Sequence, residues 1–78
     1  MRRRERRLIV AFYTTHDAMA IEDHCNARGA EGRLIPLPRE ISAGCGLAWS
    51  APPEDPKRLM KLLQEAGIDP QHMKEMEI

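Results

Sequence analysis

The chain has 78 residues, of which 42% are hydrophobic and 31% charged, and its twelve basic and twelve acidic side chains give a formal net charge of zero. That composition excludes a disordered chain, and the length excludes more than one domain and leaves room for only a thin core. No apolar run approaches the roughly 20 residues of a membrane helix, and no long apolar segment of the secretory type opens the sequence, so a cytoplasmic protein is expected.

Residues 1–6 read as a basic tail. With Arg7, the opening MRRRERR sets five arginines against Glu5. Blocks of like charge are usually solvated, and no aromatic side chain interrupts the run to stack on a base. Nucleic-acid binding is therefore poorly supported. The folded domain is expected over residues 7–78. RLIVAFY, residues 7–13, is a short apolar run rich in strand formers and predicts a buried central strand. Thr14 and Thr15 offer caps for a helix, and Asp17 falls in its first turn, where a negative charge suits the dipole. Ala18, Ile21 and Cys25 then recur at helical spacing, and Gly29 is the stop.

GRLIPLP, residues 32–38, predicts a second strand. Pro36 and Pro38 have no N–H to give, which suits a sheet edge. REISAGCG is a loop, and residues 47–50 are a third strand. Pro56 suits a first helical position. Leu59, Leu62, Leu63 and Ala66 fall at i, i+3, i+4 and i+7 and make a single stripe. Gly67 and Pro70 end that helix, and HMKEMEI is a weakly alternating last strand. The order β-α-β-β-α-β predicts an α+β two-layer ferredoxin-like sandwich, with a four-stranded antiparallel sheet and two helices on one face. Only Phe12, Tyr13 and Trp49 are aromatic, so the core is expected to rest on Leu, Ile, Met and Ala.

The cysteines divide. Two thiols in a reducing compartment are expected to be free. Neither belongs to a CxxC pair, so no structural metal site is expected, and no motif asks for a cofactor. Cys25 lies on the apolar face of the first helix and reads as core. Cys45 lies between Gly44 and Gly46, where nothing adjacent shields it. The connectivity puts its loop at the end of the sheet where the first helix begins, with the turn at residues 68–70. There a thiolate, the nucleophilic form of cysteine, would meet several supports. The helix N-terminus brings partial positive charge near Thr14. Arg39 brings a full charge, His16 an imidazole, Ser42 a hydroxyl donor, and Gly44 and Gly46 a backbone able to turn N–H groups inward. The other reading of Cys45 is an ordinary turn residue packed as a small hydrophobe.

At PLPREISAGCGLA the chain resembles a family of small bacterial and archaeal proteins described as selenium or sulfur carrier-like. The match runs through Pro36, Pro38, Arg39, Ser42, Cys45 and Gly46. The resemblance implies that Cys45 carries sulfur or selenium, as a persulfide or selenosulfide, between donor and acceptor proteins. In related two-layer carriers the thiol opens the first helix in a Cys-Pro motif. Here residues 14–17 hold no cysteine, so the thiol would have moved to the hairpin loop. Two other classes stay open. One is a non-catalytic binding or regulatory module that forms homo-oligomers through an apolar open sheet face; the other is a nucleic-acid binder using the arginine run. A self-contained enzyme has least support, because there is no paired-carboxylate motif, phosphate loop or cysteine–histidine pair.

Overall fold

A computed structural model describes residues 5–41 and 46–78. Six elements follow one another: β1 (Arg6–Ala11), α1 (Thr15–Ala27), β2 (Arg33–Pro36), β3 (Leu47–Ala51), α2 (Pro56–Glu65) and β4 (His72–Glu77). The strands form one sheet in the order β2-β3-β1-β4, with every neighbouring pair antiparallel. This is the ferredoxin-like α+β fold. β2 is shorter than the expected 32–38 and lies at an edge, where Pro36 has no N–H to give. The sheet reaches further into the basic segment than residue 7: Arg6 pairs with Glu77, and the Glu5 and Ile78 backbones exchange two hydrogen bonds of 2.9 and 3.0 Å.

Local chemistry sets the helix limits. Thr14 is extended and its Oγ1 accepts the Asp17 N–H at 3.1 Å, which caps α1. Asp55 caps α2 by accepting the Arg58 N–H at 3.1 Å, and Pro56 occupies the first turn. At the other ends Gly29 and Gly67 take φ of +68° and +72°. The next residue then turns its N–H back, Ala30 to the Cys25 carbonyl and Ile68 to the Leu63 carbonyl.

Strand alternation divides the core in two. Leu8 and Val10 of β1, then Phe12 beyond it, join Trp49 of β3 on the face that meets Ala18, Ile21 and Cys25 of α1 and the leucine stripe of α2. Leu, Ile and Ala fill most of the buried positions, as expected, but the largest buried side chains are Trp49 and Phe12. Among the described methionines, Met19 and Met60 are exposed, Met73 is half-buried against the main cluster and Met76 is buried. Few aromatics in a sequence does not mean few in its core, because one indole removes more apolar surface than any methionine. Trp49 lies against Gly32, where a Cβ would come within 2.5 Å of the ring. Its Nε1 is buried without a partner among the described residues.

The opposite sheet face carries the second cluster: Ile9, Ala11, Ala48 and Met76, with Ile41 packed in from the β2–β3 connection. Ile9 and Ala11 are fully buried. The expected bare apolar sheet face is therefore corrected: these positions are already covered within the chain.

Candidate functional site

The β2–β3 connection leaves the sheet at Pro36, opposite Leu47. Ala48 of β3 and His72 of β4 both pair with Ala11, the last residue of β1. The connection, the N-terminus of α1 and the turn before β4 thus share one end of the sheet, as the connectivity predicts.

Two hydrogen bonds build the stem of the loop. The Leu37 N–H donates to the Gly46 carbonyl at 3.0 Å, and the Ile41 N–H donates to the Pro38 carbonyl at 3.0 Å. The second closes a tight turn over Arg39 and Glu40. That turn drops Ile41, 7% exposed, into the second apolar cluster. Gly46 takes φ of +73°, a conformation that costs other L-residues about 1–2 kcal/mol, and a Cβ there would touch nothing. Its glycine is thus a backbone requirement at the point where the chain re-enters the sheet.

The named site residues divide accordingly. Ser42, Gly44 and Cys45 lie outside the described residues. Thr14 is committed to capping α1. The His16 side chain is 91% exposed, with Nδ1 3.9 Å from the Asp17 carboxylate. Arg39 is exposed. Thr14, His16 and Arg39 share the end of the sheet, yet among the described residues no hydrogen bond or ion pair joins them to one another.

Cys25 occupies the opposite end. It is fully buried. Burial pushes its thiol up, and the Arg58 charge opposes this only partly. A cavity of about 320 Å³ lies beside it, lined among others by Ala30, Ala51, Asp55, Arg58 and Leu59. A thiol that is both shielded and held protonated is a poor nucleophile, so Cys25 is core, as its position on the helix predicts.

One feature escaped the sequence. Glu65, at the end of α2, accepts from Arg28 through both carboxylate oxygens, at 3.0 and 2.8 Å, and lies 3.0 Å from His24 Nε2. The His24 hydrogen bond, and then the charges of Arg28, His24 and Lys61, hold the Glu65 carboxyl below the usual carboxylate range against a smaller desolvation effect. These partners are 37 and 41 residues away in the chain, so no local spacing announces them.

No helix among the described residues is long and apolar enough to cross a membrane. Among them there is also no group of three side chains able to hold a metal ion. A family model described as "Putative Se/S carrier protein-like" matches residues 7–75. No curated protein and no solved structure matches the chain.

Proposed function

The chain belongs to the Se/S carrier protein-like family, and from that premise we propose that Cys45 is the thiol that bears the sulfur or selenium. What supports the reading is that Ser42 and Cys45 fall within the matched residues 7–75, and that the Leu37–Gly46 hydrogen bond flanking them lies at the end of the sheet where α1 begins.

The chemistry is an exchange without net oxidation. The Cys45 thiolate attacks the outer sulfur of a donor persulfide. A new S–S bond forms at Cys45, the donor's S–S bond breaks, and the donor leaves as a thiolate. An acceptor thiolate then attacks that outer sulfur, and Cys45 departs as the thiolate it was. Selenium follows the same balance as a selenosulfide. Rate in both steps depends on a thiolate that is abundant at neutral pH yet still nucleophilic. The helix N-terminus at Thr14 and the cation of Arg39 are the charges available at this end of the sheet to support it. Donor and acceptor are other proteins, and the open Gly46 flank suits two successive partners.

The test compares the two cysteines by alkylation at neutral pH, with intact mass after exposure to a low-molecular-weight persulfide. Positive charge beside the sulfur favours the thiolate, the form that reacts, so Cys45 should label faster than a free thiol. Cys25 should resist until the chain unfolds. The mass should rise by one sulfur in the wild type and not in Cys45→Ser. Labelling of Cys45 no faster than a free thiol, or sulfur retained by the Cys45→Ser chain, refutes the reading.

A further inference from the structure

The sheet face away from the helices carries a charge pattern that the carrier reading does not use. Register defines one row across all four strands. Arg33 of β2 is opposite Ser50, Ser50 is opposite Ile9, and Ile9 is opposite Lys74 of β4. The row therefore ends in a cation at both edges, about 14 Å apart at ordinary strand spacing. Arg7 lies two residues from Ile9 on the same face. Its Nε and Nη2 donate to Ser50 Oγ and to the Ser50 carbonyl at 2.9 and 3.2 Å, which fixes a third cation between the other two.

Among the described residues no carboxylate pairs with Arg7, Arg33 or Lys74. The ion pairs lie elsewhere: Glu75, which alternation turns to the helix side, takes Arg6, and Glu65 takes Arg28. Glu5 is the acid that follows the same alternation on this face. Three further arginines, Arg2 to Arg4, precede it in sequence.

We propose that this face is a docking surface for an acidic protein segment. Three observations select that occupant. The cations are unpaired and aligned across the sheet. The apolar positions between them, Ile9, Ala11 and Ala48, are already buried with Ile41 and Met76, so the surface offers charge and little apolar area to a second copy of the chain. Trp49 and Phe12 belong to the helix-side core, which leaves Tyr13, exposed just beyond the end of β1, as the one aromatic side chain near this face, so a single-stranded nucleic acid finds no row of stacking rings. The proposal is independent of whether Cys45 transfers sulfur.

The chain's formal net charge of zero makes the test sharp, because overall charge cannot draw in a polyanion. A fluorescent oligoglutamate and a single-stranded oligouridine of equal charge are titrated with the full chain at low salt, and anisotropy is read. Oligoglutamate should bind more tightly than oligouridine. Arg33→Glu/Lys74→Glu should weaken it by at least about tenfold, with Arg33→Gln/Lys74→Gln intermediate. Lys57→Glu/Lys61→Glu, which makes the same charge change on α2, should leave it within about twofold of the wild type. Both substituted strand side chains are exposed, so the variants should keep the wild-type fold, checked by circular dichroism. Absent oligoglutamate binding, equal losses from the strand and helix reversals, or tighter binding of oligouridine would each overturn the proposal.

Discussion

Gly32→Ala probes the packing that holds β2 to the sheet. A Cβ at residue 32 would be 2.5 Å from Trp49 Cε2 and Cζ2 and 2.7 Å from Nε1. The indole has nowhere to go, because Trp49 is 1% exposed within the main core. Forcing a methyl group into a packed core costs about 1–3 kcal/mol. The backbone adds its own term: φ at Gly32 is +152°, a region that costs a side-chain-bearing residue about 1–3 kcal/mol. The sum, about 2–6 kcal/mol, is a large share of the roughly 4–12 kcal/mol expected for the whole chain. Gly29→Ala is the control, since φ is +68° there and a Cβ meets nothing; it should cost only the left-handed penalty of about 1–2 kcal/mol. Urea unfolding followed by the fluorescence of Trp49, the single tryptophan, measures both. If Gly32→Ala is no more destabilising than Gly29→Ala, the indole is not pinned against residue 32 and the packing argument fails.

Glu65→Gln should flatten the acid side of the stability profile. Glu65 titrates below its ordinary value in the fold, so it contributes stability above the unfolded-state pKa and loses that contribution as pH falls through the folded-state value. The wild type should lose more stability than Glu65→Gln between about pH 6 and pH 3; parallel urea midpoints across that window would remove the cross-helix cluster as a contributor. Ile41→Ala should cost about 2–4 kcal/mol by emptying the second cluster, read by urea unfolding, and a loss under about 1 kcal/mol would mean that Ile41 does not anchor the loop.

Much of this fold is written in short-range pattern. The leucine stripe at Leu59, Leu62 and Leu63 and the triplet Ala18, Ile21 and Cys25 face inward as their spacing requires. Gly29, Gly67, Thr14 and Asp55 act where their backbone and side-chain chemistry places them. What escaped depends on contacts between distant segments. Nothing around Glu65 identifies His24 and Arg28 as its partners. Nothing around Ile41 shows that a residue in a glycine-bearing loop covers Ile9 and Ala11. Gly32 opens the stretch that predicts the second strand, and nothing local marks its reason, Trp49, seventeen residues later. For the site, connectivity alone brought the Cys45 loop, Thr14 and His16 to one end of the sheet. The turn that anchors the loop through Ile41 needed coordinates.

The paired backbones of Glu5 and Ile78 have a practical consequence for engineering. Two hydrogen bonds already hold these positions side by side across β1 and β4, so a short peptide bridge could fuse one to the other with little loop-closure entropy. New ends could then be opened in the exposed turn at residues 54–55. That circular permutant would keep the sheet order intact and bring the cysteine-bearing hairpin close to the new C-terminus.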